Sequence, residues 1–420
     1  MKVILSSFGS YGDISPFLWL AKILRDEGHT ILFICNPFFE EAVRKEGFNF
    51  KPAGTLEDYK SATIPATITG NPFKDQQEQI LASRRLFTHM FLNPVEDTFR
   101  AIESEKNDHP LVISHFFGYG AKLAAEKYKL PWFNVCLAPY WLRPFKKIKA
   151  FRDRLEKMRT QGTNRFIDNQ LFTKPFNALR EKYGLDSLNR LSNEWMFDSD
   201  TLCLFPEWMM DYELEEGIKA AYIGFSAPDP QGIGLSAEVS SFLLKYGKPI
   251  VFTPGSAVTH IDRFFREALI TLKKMNKAGI FLTRFAHKLP DDLPDNILVQ
   301  DFVPLDLLLD KCSALVHHGG IGTGAQALRA GIPQVVCPRL AEQAENARIW
   351  HNAGVCETIP FNKITGDNLA GVLKTMISTP GSIEKCNSLK NQVLPQNSKE
   401  NLLKYLGHRI QNTQGYAEES

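Results

Sequence analysis

A chain of 420 residues is too long for one ordinary hydrophobic core and is read as two domains. Its 44% hydrophobic and 23% charged residues describe a globular protein, and a net charge of +2 lacks the strong basic bias of a nucleic-acid binder. Seven scattered cysteines with no CxxC pair give neither a disulfide framework nor a zinc knuckle, and point to the reducing cytoplasm.

The start, MKVILSSFG, reads as a strand running into a turn and not as a signal peptide. No later run reaches the roughly 18 apolar residues of a membrane span. Strand Val3–Ser7, turn Phe8–Ile14 and a helix from about Pro16 to Glu27 come first, with Ser15 as N-cap and Pro16 at the first helical position. Phe17, Leu20, Ala21 and Leu24 give that helix one apolar face, Gly28 ends it, and Thr30–Cys35 returns as a buried strand. The βαβ pattern recurs at Leu111–Ser114, helix Ala121–Lys129 and Trp132–Cys136, which calls for a parallel sheet. Past a charged helical region at about Lys146–Asp200, Thr201–Phe205 and Ala221–Ile223 read as strands. Ser226–Ser236, with two prolines and two glycines, is the linker. Alternation then restarts at Ile250–Thr253, Ile280–Thr283, Ile297–Gln300, Ala314–His317 and Gln334–Cys337. The fold class is α/β: two Rossmann-like, doubly wound parallel-sheet domains, 1–228 and 229–420, facing an interdomain cleft. The last helix is the one element that could return to the N-terminal domain.

Three turns carry the chemistry. Leu315–Pro338 (LVHHGGIGTGAQALRAGIPQVVCP) places four glycines, Gly319, Gly320, Gly322 and Gly324, between a strand and a helix. A helix N-terminus with nothing bulky in front of it is a phosphate cradle, and His318 and Thr323 add side-chain donors. Thr253-Pro-Gly-Ser256 is a second strand-end turn, where Gly255 and Ser256 could donate to a phosphate. In the first half, Gly9-Ser-Tyr-Gly-Asp13 follows the first strand without spelling GxGxxG, so it is no dinucleotide fingerprint. Asp13, placed just before a helix at the cleft, reads either as a general base or as a helix N-terminal acid.

The block Gln300–Gln343, from QDFVPLDLLLDKCSALVHHGG through GIPQVVCP to the Glu342–Gln343 pair, resembles the donor-binding signature of family 1 nucleotide-sugar glycosyltransferases. The start, SSFGSYGDISPFLWLAKILRDEGH, is similar to the N-terminal motif of bacterial members, nearest the rhamnolipid rhamnosyltransferases and the sterol glucosyltransferases. FPEW (205–208) and FTPGS (252–256) also fit. The resemblance implies the GT-B fold and an inverting, metal-independent hexosyltransferase using a UDP- or dTDP-sugar as co-substrate, with no other cofactor. It implies Phe302 stacking on the base and the backbone of Val303 bonding it. His318 would hold the diphosphate with Gly320, Gly322 and Thr323, and Gly255 and Ser256 would hold its other side. Gln326 stands where many eukaryotic members carry a ribose-binding glutamate. Glu342 and Gln343 match a pair, commonly Asp-Gln, that holds sugar hydroxyls. Asp13, with Gly12 beside it, matches the catalytic base of bacterial members.

Asp198-Ser-Asp200 spells DxD, but it precedes a strand instead of ending one, so turn chemistry accounts for it and no metal site is assigned. Arg143–Arg165 carries nine basic residues against two acidic ones, with an apolar stripe at near-helical spacing. It reads as a helix packed on the N-terminal domain, with peripheral contact at the inner face of the membrane as the alternative. Phe87–Phe99, Phe116-Phe117 and Tyr140-Trp141 offer an apolar acceptor pocket or simply core. The implied partners are a nucleotide sugar and a lipophilic hydroxylated acceptor, with no nucleic acid; oligomeric state is not legible. Two rival readings stay open: a nucleotide-sugar epimerase on the same fold, and a non-catalytic nucleotide-sugar or lipid-binding protein.

Overall fold

The computed structural model describes residues 1–64, 78, 81–142, 173–189, 200–214, 218–227, 234–255, 261–290 and 292–417. The basic stretch 143–165, Ser256, Asp198, Ser199 and most of the linker (228–233) lie outside the described residues.

Two parallel sheets organise the chain. β1 (Lys2–Ser6), β2 (Thr30–Cys35), β3 (Asn49–Pro52), β4 (Leu111–His115), β5 (Trp132–Cys136), β6 (Asp200–Cys203) and β7 (Lys219–Tyr222) assemble in the order β3-β2-β1-β4-β5-β6-β7. β8 (Ile250–Thr253), β9 (Gly279–Leu282), β10 (Ile297–Gln300), β11 (Ala314–His317), β12 (Gln334–Val336) and β13 (Cys356–Thr358) repeat the scheme as β10-β9-β8-β11-β12-β13. All pairings are parallel; Ile4 sits opposite both Leu32 and Val112, and Leu315 opposite both Val251 and Gln334. The strands read as near-continuous apolar runs because both faces are covered. Val3 and Leu5 enter one core cluster while Ile4 enters the other, and Ile250 and Phe252 alternate with Val251 in the same way.

The helices that position the site are α1 (Tyr11–Asp26), α2 (Tyr119–Tyr128), α3 (Ile321–Ala330), α4 (Ala341–Asn352) and α5 (Pro395–Ala417). The helix expected from Pro16 begins five residues earlier, with Ser10 as N-cap and Pro16 inside it. Pro16 sits early enough that its missing N–H costs one bond, to the carbonyl of Gly12 in the first turn. Asp13 is therefore a first-turn residue and not a loop residue. β3 and β13, unread from sequence, are short edge strands; β3 ends in Pro52, tolerated only at an edge. Asp200 is the first residue of β6.

α5 crosses back, and Leu402 and Leu406 join the core cluster formed by β1, β2 and β4. The halves also share a cluster: Cys136, Leu142, Phe205, Met209 and Phe225 pack with Ala325, Leu328, Ile349 and Trp350.

Candidate active site at the facing switch points

In each sheet the strand order reverses between neighbours, β1/β4 in one and β8/β11 in the other, and these crevices lie at the carboxyl ends of the strands. Asp13 follows β1 and His115 ends β4; Gly255 follows β8 and His318 follows β11.

The first turn is shaped around a carboxylate. Gly9 has φ +136, and a Cβ there would lie 2.3 Å from Asp13 Oδ2, so only glycine allows the side chain to fold back. Asp13 Oδ2 accepts from the Ser10 N–H (2.7 Å) and the Ser10 O–H (2.9 Å), while the Ser7 hydroxyl donates to the Asp13 carbonyl (2.9 Å). Oδ1 is left facing the Nε2 of His115 at 3.8 Å, and the Asp13 side chain keeps 32% of its surface open, enough for a substrate hydroxyl to reach it. Burial raises the Asp13 pKa, opposed by the two Ser10 bonds. His115 accepts the Phe117 N–H on Nδ1 (3.3 Å), so its proton sits on Nε2, which has no hydrogen-bond partner among the described residues. Burial holds this imidazole down at about 3, so it is neutral.

The second turn is shaped around empty space. His317 pins it: Nε2–H donates to Gln334 Oε1 (2.9 Å) and Nδ1 accepts the Gly319 N–H (3.2 Å). The His318 ring fits between two glycines, since a Cβ on Gly255 would meet it at 3.0 Å and one on Gly320 at 2.6 Å. Burial pushes His318 down to about 4, leaving a neutral ring whose Nδ1 has no partner among the described residues. α3 starts at the Gly320 N-cap, with Thr323 in its first turn. Gly322 is the open point of that turn, because a Cβ there meets nothing within 4 Å. Gly324 is the opposite case: its Cβ would fall 2.1 Å from the Trp350 ring of α4.

α4 brings the sugar-side pair. Gln343 Oε1 accepts from the Arg339 N–H (2.9 Å) and the Leu340 N–H (3.2 Å), capping its own helix, so its amide NH2 is the end that can turn to a ligand. Glu342 is pushed up to about 7, first by burial and then by the charge of Asp13 across the cleft, against hydrogen bonds from Trp141 and Asn346. Asn346, fully buried, also donates to the Gly319 carbonyl (3.1 Å) and so links the glycine turn to Glu342. Gly12 and Pro16 of α1 line one small cavity with Ile321, Gly322 and Ala325 of α3. The N-termini of the two helices thus face each other.

The structure therefore brings Gly12, with Asp13 beside it, to Gly322 across one cavity, and groups His318 with Gly255 and Gly320. Phe302 stands apart after β10, 57% exposed, as a ring free to stack on a ligand; Val303 buries its side chain and can offer only backbone. Gln326 lies further along α3 with its Oε1 shut from solvent and unpartnered among the described residues. His115, His317 and Asn346 were not assigned from sequence, because each acts through a residue distant along the chain. Among the described residues no group of three or more His, Cys, Asp or Glu could hold a metal ion, and no helix is long and apolar enough to cross a membrane.

Two Rossmann-like domains with facing switch points define the GT-B class of fold. Residues 275–407 match the family described as "Erythromycin biosynthesis protein CIII-like, C-terminal domain". The chain is 24% identical to a sterol 3-beta-glucosyltransferase of Komagataella phaffii over 94% of its length, but spans only 33% of that relative. With an erythronolide mycarosyltransferase of Saccharopolyspora erythraea it shares 23% identity over 94% of this chain and 95% of the other. The crystal structure of the glycosyltransferase VinC in complex with dTDP superposes with a TM-score of 0.65 at 20% identity, covering 96% of this chain and 98% of that one. The chain is thus similar in sequence to glycosyltransferases and shares the fold of solved ones.

Proposed function

We propose that this protein is an inverting glycosyltransferase that moves a hexosyl group from a UDP- or dTDP-sugar to a hydroxyl of a lipophilic acceptor. One observation carries the reading: Gly12, beside Asp13 in the first turn of α1, and Gly322, in the first turn of α3, line the same cavity, so the carboxylate of the first half faces the helix N-terminus of the second. The base then has an electrophile site opposite it.

In this reading Asp13 Oδ1 takes the proton of the acceptor hydroxyl as that oxygen bonds to the anomeric carbon. The bond from that carbon to the diphosphate oxygen breaks and its electron pair leaves with the diphosphate. His318, Thr323, Ser256 and the first-turn N–H groups of α3 meet the growing charge. Neutral His318 acts as a donor, not as a cation. The Gln343 amide and Glu342 hold sugar hydroxyls, Phe302 stacks on the base beside the Val303 backbone, and Gln326 reaches the ribose. His115, whose Nε2 lies 3.8 Å from Oδ1, can close on the carboxylate and steady its ionised form. No metal or further cofactor enters these steps, and transfer should proceed undiminished in EDTA.

The lipophilic acceptor is supported by an aromatic wall next to the base: Phe116 packs on Phe117 (4.1 Å between centroids) and Trp141 (5.0 Å), and Phe117 on Phe91 (4.4 Å). Two of the relatives are named for sterol and erythronolide substrates. Seven free, buried cysteines fit a reducing cytoplasm. Peripheral contact of 143–165 with an anionic membrane surface belongs to the same proposal, as a route for a lipid acceptor, and vesicle co-sedimentation tests it.

The test is a mass-spectrometric screen of UDP-glucose and dTDP-rhamnose against sterol, phenolic and hydroxy-acyl acceptors. A glycosylated acceptor that requires Asp13 is the expected result. Donor converted to an epimer without acceptor, or donor bound with no turnover, overturns it.

A further inference from the structure

α4 is gripped on two sides. Toward the glycine turn, Asn346 donates to the Gly319 carbonyl (3.1 Å) and the Trp350 ring closes against Gly324. Toward the first half, Arg348 Nη1 and Nη2 donate to Asp211 Oδ2 and Oδ1 at 2.6 and 2.9 Å, a pair 137 positions apart in sequence. The same guanidinium donates from Nε and Nη2 to Glu345, about one turn back on α4, at 3.1 and 2.9 Å. Asp211 is itself held in place. Met209, two residues before it, is fully buried in the cluster the halves share, and the Tyr212 hydroxyl next to it donates to the Pro139 carbonyl (2.5 Å).

Beside this pair the joint is apolar: Leu142, Phe205 and Met209 of the first half pack with Ile349 and Trp350 of α4. Apolar burial is non-directional, whereas a guanidinium bonded twice to one carboxylate accepts a single geometry. We propose that the Arg348–Asp211 pair sets the register of α4 against the acceptor half, which makes Arg348 a positioning residue for sugar transfer. The inference rests on the glycosyltransferase reading, in which Glu342 and Gln343 at the start of α4 hold the sugar and Asp13 takes the proton across the cleft. The diphosphate side, from His318 to Thr323, lies wholly within the second half and does not need the pair; the placing of the sugar against Asp13 does. With 36% and 46% of the two side chains open to solvent, the pair is modest in strength and screened by salt. Glu345 supplies an internal comparison, because it takes the same guanidinium from within α4 and joins nothing across the cleft.

Electron-spin distance measurements between labels at Leu56→Cys in the first half and Leu244→Cys in the second test the register, since both leucines are exposed and the seven native cysteines are buried. Asp211→Asn should broaden the distance distribution, and Glu345→Gln should leave it as in the wild type. Raising the ionic strength from about 0.01 M to about 1 M, which shortens the screening length from about 30 Å to about 3 Å, should move the wild type toward Asp211→Asn. In single turnovers from UDP-glucose or dTDP-rhamnose to the acceptor that the screen returns, Asp211→Asn should slow transfer by about two- to fivefold, the scale of an exposed pair. Its affinity for UDP and dTDP by calorimetry should not change, and Glu345→Gln should transfer as the wild type does. A distribution or a transfer rate unmoved by Asp211→Asn, equal losses from the two variants, or nucleotide affinity falling with transfer overturns the inference. A screen that returns no glycosylated acceptor overturns the glycosyltransferase reading instead, and the distances alone then decide the register.

Discussion

The two switch points are built alike and filled differently. Each sets a histidine at the end of its fourth-ordered strand, His115 on β4 and His317 on β11, and each histidine accepts the N–H of the residue two further on. Burial holds both rings down at about 3, so both are neutral pins. Beyond the pin the halves diverge. The first fills its turn with Phe116 and Phe117 and points the other ring nitrogen at Asp13. The second follows with glycines and sends that nitrogen into Gln334. One scaffold thus yields an apolar wall with a base in one half and a vacant helix N-terminus in the other. What the turns are made of, not the sheets, divides the labour.

The largest expected effect breaks the first half alone. Asp13→Asn removes the base and should lower kcat by roughly 10²- to 10⁴-fold, while donor affinity measured by calorimetry stays within about twofold. Donor binding lost together with turnover would mean that Asp13 holds the fold of the site and not the proton. Because burial raises the Asp13 pKa, the acid limb of kcat/KM should lie above the ordinary carboxylate range, with activity falling as pH drops through it.

The second half can be split by two glycines of one helix. Gly324→Ala drives a methyl into Trp350 and should cost about 1–3 kcal/mol in denaturant unfolding, the usual range for overpacking. Gly322→Ala meets nothing in the free protein, so stability should hold or rise by up to about 1 kcal/mol, while donor affinity falls. Unimpaired donor binding by Gly322→Ala would remove the diphosphate from this turn. The smallest effect falls on the pin: His115→Phe deletes the N–H facing Asp13 and should move the acid limb upward by less than about one pH unit. A limb that stays put would leave His115 a purely structural pin.

Much of this comparison is legible in the sequence. Eleven of the thirteen strands, the glycine-rich turn before α3 and Asp13 after β1 are local patterns, read within one or two residues of their observed places. The start of α1 was misread because Ser15-Pro16 is a strong local start signal. What decides the matter is the bond network of Ser10 and Asp13, which the spacing alone does not rank above it. The Gln343 cap was hidden because Leu340, not a serine or threonine, stands at the N-cap. His115 and His317 owe their roles to partners 102 and 17 positions away (115 − 13, 334 − 317), and no periodicity encodes such contacts.

The central claim is that the acceptor attacks from the half opposite the leaving diphosphate, in one displacement. The anomeric configuration of the product, read from the proton coupling constant in NMR, tests it most directly once the screen supplies an acceptor. Starting from an α-linked nucleotide sugar, the account predicts a β-glycoside. An α-glycoside would contradict it.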